Sequence, residues 1–233
     1  MTSNRASTGV RRRGVLFDVD GTLVDTNFLH TVCWAEALRQ QGHQVTAADV
    51  HHAIGMGSDR LLDHVLGENQ DRDGDADIVA AHKTLYKQWW GRLVPMPGAA
   101  DLLRGCAERG LAVVFASSAS EEELQALRST LDVEDALTSA TSAGDANASK
   151  PAPDILAAAL DRADLEPTDV IFVGDAVWDG EAAQKAGLRF LGLTCGGTPR
   201  EDLESAGAAE VWEDPASLLA NLDRSIIRPL ISE

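Results

Sequence analysis

The sequence is poor in three features, and each shortage excludes a class of protein. It has three cysteines in 233 residues, at positions 33, 106 and 195. They are too few and too far apart for a disulfide framework or a cysteine metal cluster. Twenty lysines and arginines face 37 aspartates and glutamates, a formal net charge of −17, so we expect no nucleic-acid-binding surface. No segment approaches the ~20 apolar residues of a membrane-spanning helix, so we expect no membrane partner.

The N-terminal segment also lacks a recognisable targeting signal. The arginines at 11–13 are not followed by the apolar region of a secretory signal. We therefore expect a disordered tail over residues 1–13 and a cytoplasmic protein.

The hydrophobic content of 44% and charged content of 24% are ordinary for a globular chain. A chain of this length can bury one core and carry a small inserted module.

Short apolar segments alternate with helical patterns along most of the chain. The predicted strands are at 15–17, 111–116, 136–140, 170–173, 190–193 and 210–212. The helices predicted between and after the later strands are at 99–109, 121–131, 154–163, 179–186 and 201–206. Strands that alternate with helices indicate an α/β fold with a doubly wound, Rossmann-like parallel sheet.

Residues 27–92 interrupt this alternation because they show no convincing strand. The helices predicted there are at 27–41, 46–54, from Ser58 onward and at 78–92, with an exposed loop at 68–77. The sequence thus predicts a core domain built from residues 14–26 and 94–233. An all-helical cap domain over residues 27–93 is inserted directly after the first strand. A module inserted at the mouth of a sheet can act as a lid.

Polar side chains follow the predicted strands or lie in the loops between elements. They are Asp18, Asp20, Ser117, Lys150, Asp175 and Asp179. The carboxyl ends of parallel strands share one edge of a sheet, so we expect these side chains to converge. Neighbouring carboxylates need a cation, and Mg²⁺ prefers oxygen ligands. The set suits phosphoryl transfer, with carboxylates as nucleophile, acid–base and metal ligands, and a hydroxyl and an ammonium to hold phosphate.

The same residues resemble the four motifs of the haloacid dehalogenase-like superfamily of phosphohydrolases. Asp18-Val19-Asp20-Gly21-Thr22-Leu23-Val24-Asp25 is similar to the first motif. Ser117 after an apolar strand and Lys150-Pro151 match the second and third, and Gly174-Asp175-Ala176-Val177-Trp178-Asp179 matches the fourth. The resemblance runs from about residue 15 to residue 222. The helical insertion after the first motif is similar to the subclass that has a helical cap.

This resemblance implies a role for each acidic residue. Asp18 would attack phosphorus and form an aspartyl-phosphate. Asp20 would protonate the leaving alcohol and then deprotonate the hydrolytic water. Mg²⁺ would be held by the Asp18 carboxylate, the Asp20 backbone carbonyl and Asp175. Asp179 would bind the metal through water or orient Lys150, and it is also a candidate helix N-cap.

The resemblance also implies that Ser117 and Lys150 hold the transferring phosphoryl group, although Ser117 could instead cap the next helix. The dehalogenases of the superfamily lack an aspartate at the position of Asp20. Its presence therefore favours phosphate chemistry over cleavage of a carbon–halogen bond. The expected enzyme is a Mg²⁺-dependent phosphatase of a small phosphorylated metabolite.

Two alternatives stay open. The first is a sugar-phosphate mutase, because β-phosphoglucomutase-like members carry the same residue types at the positions of Thr26, His30 and Trp34. This resemblance makes Thr26 and His30 candidate cap or substrate residues. The segment 57–60 does not place an arginine where the phosphate clamp of those enzymes is expected, and this favours the phosphatase. A non-catalytic metabolite-binding regulator is the third hypothesis. Residues 27–92 contain no pattern that identifies the substrate. Phosphoglycolate, a sugar phosphate and another small phosphomonoester all stay open.

Overall fold

The computed structural model describes residues 11–67 and 72–231. Within these ranges the strands are β1 (Gly14–Phe17), β2 (Ala112–Ala116), β3 (Ser139–Thr141), β4 (Val170–Gly174), β5 (Arg189–Leu193) and β6 (Ala208–Trp212). The helices are α1 (Asn27–Gln40), α2 (Ala47–Ala53), α3 (Ser58–Leu66), α4 (Asp75–Lys87), α5 (Ala99–Glu108), α6 (Glu121–Leu131), α7 (Asp154–Ala163), α8 (Val177–Ala186), α9 (Arg200–Ser205) and α10 (Pro215–Ala220).

The six strands form one parallel sheet in the order β3-β2-β1-β4-β5-β6. Strand β1 lies in the middle, and Phe17 at its end is in register with Phe115 of β2 and Val173 of β4. The loops that follow these three strands therefore leave the sheet side by side. The predicted α/β doubly wound fold is confirmed, and its central edge is where the polar side chains gather.

Both faces of the sheet are covered by helices. Side chains of a strand point alternately to its two faces. Val15 and Phe17 accordingly join the cluster formed with α5, α6 and α10, and Leu16 joins the cluster formed with α7, α8 and α9. The C-terminal segment closes the first cluster, because Ile227 is fully buried and Leu230 packs against it. This explains the apolar character of the last residues.

Helices α1 to α4 lie between β1 and β2 in the chain and have a hydrophobic cluster of their own. Trp34 and Leu38 of α1, Leu61 of α3 and Ile78 of α4 are buried in it. We keep the name cap for residues 27–93. The two segments that join the cap to the sheet run side by side, since the backbone N–H of Asp25 donates to the carbonyl of Val94 and that of Met96 to the carbonyl of Leu23.

Helix α4 differs from the prediction at both ends. It begins at Asp75 and ends at Lys87, and a short 3₁₀ turn follows at Trp90–Arg92. The sequence predicts an exposed acidic loop over residues 68–77. Asp75 and Asp77 instead occupy the first helical turn, where negative charge is favourable. Residues 68–71 lie outside the described residues.

Three further expectations of local structure are corrected. Strand β3 begins at residue 139 and not at 136, because residues 133–137 form turns. Helix α10 was not predicted. Within the expected disordered tail, the described residues Arg12 and Arg13 instead donate hydrogen bonds to the carbonyls of Ala163 and Leu230, whereas residues 1–10 lie outside the described part. Across residues 11–67 and 72–231, no helix is long and apolar enough to cross a membrane.

Candidate active site

Asp18 leaves the end of β1 and meets a buried lysine. The ammonium of Lys150 lies 2.5 Å from Oδ1 of Asp18 and 2.7 Å from Oδ1 of Asp179, and the lysine side chain is only 1% exposed. Burial alone lowers the pKa of Lys150, but the charges and hydrogen bonds of Asp179 and Asp18 outweigh it and raise the pKa above its usual value. Lys150 is therefore a permanent cation at this edge of the sheet.

Asp179 is the third residue of α8, and Ala176 occupies the N-cap position. The interpretation of Asp179 as the N-cap is thus wrong by three residues. Its Oδ2 nevertheless accepts hydrogen bonds from the backbone N–H groups of Asp175 and Ala176, at 3.1 and 3.0 Å. Because Oδ2 binds the backbone and Oδ1 faces Lys150, Asp179 holds the ammonium in place.

Asp175 follows β4 and is held by two side chains that sequence reasoning did not select. The hydroxyl of Thr22 donates to its Oδ1 at 2.6 Å, and the amide of Asn27 donates to its Oδ2 at 2.7 Å. Thr22 belongs to the segment that resembles the first motif, so its position carried a signal. Asn27 carried none, because it was interpreted only as the first residue of a helix.

Three carboxylates gather at the sheet edge beside Lys150. Oxygens of Asp18, Asp175 and Asp179 lie within 4.8 Å of one another. Burial is the main cause that raises the pKa of Asp18 well above its usual range, against the opposing charge of Lys150. Burial and the charge of Asp179 raise the pKa of Asp175 to about 7. The donor set is all oxygen and carries excess negative charge, which fits Mg²⁺.

Asp20 points toward the cap and contacts His30 of α1. The distance from His30 Nε2 to Asp20 Oδ1 is 3.4 Å, and Oε1 of Glu123 in α6 is also 3.4 Å from Nε2. Sequence reasoning missed Glu123, which stands in the acidic run that opens α6 and that favours a helix start by itself. Burial, opposed by the charge of His30, raises the pKa of Glu123 to about 7.

His30 is fixed from its other side by residues of α4. Its Nδ1 lies 3.1 Å from Nε2 of His82, and its ring stacks on Tyr86 with centroids 3.8 Å apart. Burial lowers the pKa of His30, but the hydrogen bond to Asp20 and the charge of Glu123 raise it more, so the net pKa is raised. Burial and the neighbouring His30 lower the pKa of His82 to about 2. His82 is therefore neutral, and it can donate to or accept from Nδ1 according to its tautomer.

Ser117 and Thr26 are placed differently from the other candidates. Ser117 lies at the same edge of the sheet, fully buried, and its hydroxyl accepts a hydrogen bond from the N–H of Ala119 at 3.0 Å. The helix that follows is capped by Ser120 instead. Thr26 is also fully buried, and its hydroxyl accepts from the N–H of Gly21. Thr26 does not line the cleft described next.

A cleft of about 850 Å³, including its open mouth, lies between the sheet edge and the cap. Core residues Asp18, Asp20, Ser118 and Ser120 line one side. Cap residues line the other, among them His30, Trp34, His82 and Lys83. Lys83 is the only lysine or arginine among the described residues that line the cleft.

A family model described as a haloacid dehalogenase-like hydrolase matches residues 13–187. The chain belongs to this family. The resemblance found in the four motifs is confirmed, and with it the expectation of an enzyme. The four motif segments of this haloacid dehalogenase-like hydrolase meet at the sheet edge that β1, β2 and β4 form.

Proteins of similar sequence indicate which kind of enzyme within the family this chain resembles. A phosphoglycolate phosphatase from Yersinia pestis is 30% identical over 190 residues, which cover 79% of this chain and 82% of that protein. Protein SUPPRESSOR OF QUENCHING 1, chloroplastic, from Arabidopsis thaliana is 28% identical over 218 residues. That match covers 89% of this chain but only 20% of the plant protein. The phosphatase relatives confirm the expected enzyme class, a phosphohydrolase.

Solved structures share the whole architecture. A hydrolase from Pseudomonas syringae superposes with a TM-score of 0.86 at 28% identity, over 91% of this chain and 99% of that chain. A β-phosphoglucomutase from Clostridium difficile gives a TM-score of 0.76 at 18% identity, over 89% of this chain and 93% of that chain. At that identity the second likeness shows the fold alone.

Proposed function

We propose that this haloacid dehalogenase-like hydrolase cleaves a small phosphomonoester by way of an aspartyl-phosphate on Asp18. The observation that carries the proposal is the buried contact of Asp18 with Lys150, directly beside Asp20 and at the floor of a cleft. A carboxylate next to a fixed ammonium is placed to attack phosphorus while the ammonium attracts the phosphate oxygens. Ser117 belongs to the same proposal as a phosphate-binding hydroxyl.

Asp20 is the acid and base in this proposal. In the first step an oxygen of Asp18 bonds to phosphorus, the bond from phosphorus to the ester oxygen breaks, and Asp20 gives its proton to that oxygen. In the second step Asp20 takes a proton from water, whose oxygen attacks phosphorus. The bond between phosphorus and the Asp18 oxygen then breaks, which releases phosphate and regenerates the Asp18 carboxylate.

A divalent cation completes the proposal, since three carboxylates face one ammonium. The Asp18 and Asp175 carboxylates and the Asp20 backbone carbonyl would hold Mg²⁺, with Asp179 behind them bonded to Lys150. When bound, the ion supplies positive charge to the phosphate oxygens. Thr22 and Asn27 would orient Asp175 for this ligation.

Phosphoglycolate is the substrate that the relatives favour. Their name joins a phosphate to a short carboxylic acid, and Lys83 of the cap is the only lysine or arginine among the described residues that line the cleft. A single lysine suits one small anionic group at the far end of a substrate. The cytoplasmic location expected from the sequence is part of the same proposal.

A phosphate-release screen tests the proposed function. Purified protein with Mg²⁺ is incubated with phosphoglycolate, sugar phosphates and 4-nitrophenyl phosphate, and free phosphate is measured. We expect turnover that Asp18→Asn abolishes while circular dichroism stays unchanged. Asp161→Asn, at an exposed position of α7, is the matched control and keeps activity. Full activity of the Asp18→Asn enzyme contradicts the mechanism.

The second candidate function is a sugar-phosphate mutase, and the contact of His30 with Asp20 favours it. A mutase must bind the far phosphate of a sugar bisphosphate, and no arginine is among the described residues that line the cleft. Arg60, the arginine of the segment 57–60, lies at another surface near Asp63. Transfer of phosphate between hydroxyls of a sugar phosphate, activated by a bisphosphate, would select the mutase.

A further inference from the structure

Glu123 is a largely buried carboxylate that the proposed mechanism does not use. It stands in the first turn of α6, three residues after the helix cap Ser120, and its side chain is 13% exposed. Its neighbours Glu121 and Glu122 are exposed. A helix start gains from any of the three acidic residues, so helix formation does not explain why Glu123 is turned into the cleft.

The partner of Glu123 is a residue of the cap. Nε2 of His30 is 3.4 Å from Oε1 of Glu123 and 3.4 Å from Oδ1 of Asp20. Nε2 of His30 therefore lies between two carboxylates, one from the loop after β1 and one from α6. On its far side the imidazole is fixed by His82 and Tyr86. The ring cannot swing away from Asp20 without losing contacts on three sides.

We propose that Glu123 is a positioning residue which, through His30, holds Asp20 in the orientation for proton transfer to the leaving group. The inference rests on the proposed function, because Asp20 is the acid and base there. The contact crosses from core to cap, since His30 comes from α1 and Glu123 from α6. The orientation of Asp20 is thereby tied to the position of the cap.

A second contact of the cap with α6, made by α4, allows this role to be separated from simple docking of the cap. Lys87 of α4 forms an ion pair with Glu122 at a position where both side chains are more than half exposed. Glu122 does not touch His30 or Asp20 in the contacts of the described residues. Loss of the pair formed by Glu122 weakens docking alone, whereas loss of the contact made by Glu123 also releases Asp20.

The test compares leaving groups. The enzyme with Glu123→Gln, which keeps the shape of the side chain, is assayed with phosphoglycolate and with 4-nitrophenyl phosphate. An alkoxide needs a proton to leave, whereas nitrophenolate does not. We expect kcat/KM for phosphoglycolate to fall about tenfold, a part of the 10²–10⁴-fold that a general acid contributes, and kcat/KM for the aryl ester to change less than about twofold.

The second step supplies an independent readout. Hydrolysis of the aspartyl-phosphate needs Asp20 as base whatever group has left, so kcat at saturation falls for both esters where that step limits turnover. Glu121→Gln, the same change at an exposed position of α6, leaves both substrates unaffected. Glu122→Gln changes both substrates by the same small factor. Glu123→Asp retains the charge and recovers part of the lost activity.

Each outcome decides the inference. An equal fall of kcat/KM for the two esters in the Glu123→Gln enzyme assigns Glu123 to cap docking and overturns the proposal, as does no fall for either. If that variant does not fold, the comparison of esters in the Glu123→Asp enzyme decides in the same way. A wild-type enzyme that cleaves neither these esters nor the wider panel overturns the proposed function itself. If phosphoglycolate alone resists, the best alkyl phosphate of the panel replaces it.

Discussion

At the scale of single residues, Lys150 lies between Asp18 and Asp179 and is almost fully excluded from water. Transfer of any one of these charges out of water is unfavourable by itself. The ammonium is tolerated because two carboxylates face it, and the carboxylates are tolerated because the ammonium and the N–H groups of Asp175 and Ala176 face them. The buried charges therefore depend on one another, and loss of the ammonium leaves two carboxylates without their cation.

Removal of the Lys150 charge tests this dependence. Lys150→Met leaves Asp18 and Asp179 buried without their cation, and we expect it to lower the free energy of unfolding by about 3 kcal/mol and to abolish turnover. Urea denaturation in EDTA measures the change. Lys185→Met, at a half-exposed lysine paired with Glu181, is the control and costs less than about 1 kcal/mol. Equal effects of the two changes would show that the burial of Lys150 is not decisive.

At the scale of elements, the positions of the strands were easier to predict from the sequence than the ends of the helices and loops around them. Five of the six strands were located to within two residues at each end because each carries a short apolar run, and β3 was misplaced because its three residues, Ser139–Thr141, carry almost none. The ends of β1, β2 and β4 then placed the motif residues. Helix α10 was missed because Pro215–Ala220 is short and its signal lies in one capping residue.

The candidate site was predictable to the same extent. Residues that follow strands were found, since register alone brings Asp18 and Asp175 together. Asn27 and Glu123 were not found, because each acts across a boundary between elements that is distant in sequence. Asn27 reaches Asp175 from α1, and Glu123 reaches His30 from α6. A single sequence has no local signal for such contacts.

The capping residue of α10 gives a prediction at this scale. Oδ1 of Asp214 accepts a hydrogen bond from the N–H of Ser217 at 2.7 Å, and Leu218 of the same helix is fully buried in the core. Asp214→Ala leaves that N–H unpaired, so we expect a loss of about 1 kcal/mol in unfolding free energy with turnover unchanged. Asp214→Asn, which keeps an accepting oxygen, should retain most of the stability. Equal losses of unfolding free energy in the two variants would argue against Asp214 as the N-cap of α10.

At the scale of the whole molecule, we expect the excess of acid to make stability depend on pH and on a divalent cation. The pKa of Asp175 in the folded protein, about 7, lies above its ordinary value of 3.8. Between these values the folded state binds more protons than the unfolded state. The contribution of Asp175 to stability is therefore full below the ordinary pKa and is lost as the pH rises through the folded pKa.

Metal-free protein should accordingly lose stability between about pH 6.5 and about pH 8. The pKa of His82 is lowered from its ordinary value of 6.5 to about 2. Its effect on stability has the opposite sign, because stability then rises with pH, and it is confined to pH values below 6.5. Titration of His82 therefore does not contribute to the decline above that pH. Thermal unfolding in EDTA should show a steeper decline for the wild type than for Asp175→Asn. Mg²⁺ should stabilise the wild type more at the upper pH than at the lower. A parallel decline in the two proteins would contradict the assignment.

The charge of the whole molecule also bears on substrate entry. With a net charge of −17, the long-range field repels a phosphate ester. Attraction must come from local cations, which are Lys150, buried beside Asp18, and Lys83, on the cap side of the cleft. The cap therefore brings a positive charge, an imidazole and apolar side chains over a strongly acidic sheet edge.

The most direct test of the central claim is detection of the phosphoryl group on Asp18. The Asp20→Asn enzyme, slowed in the second step, is mixed with 4-nitrophenyl phosphate and Mg²⁺, quenched in acid and analysed by peptide mass spectrometry. We predict one phosphoryl group on the peptide that contains Asp18, and none when Asp18→Asn is added to the variant. Release of phosphate by the wild type with a phosphoryl group on another residue, or on none, would contradict the account.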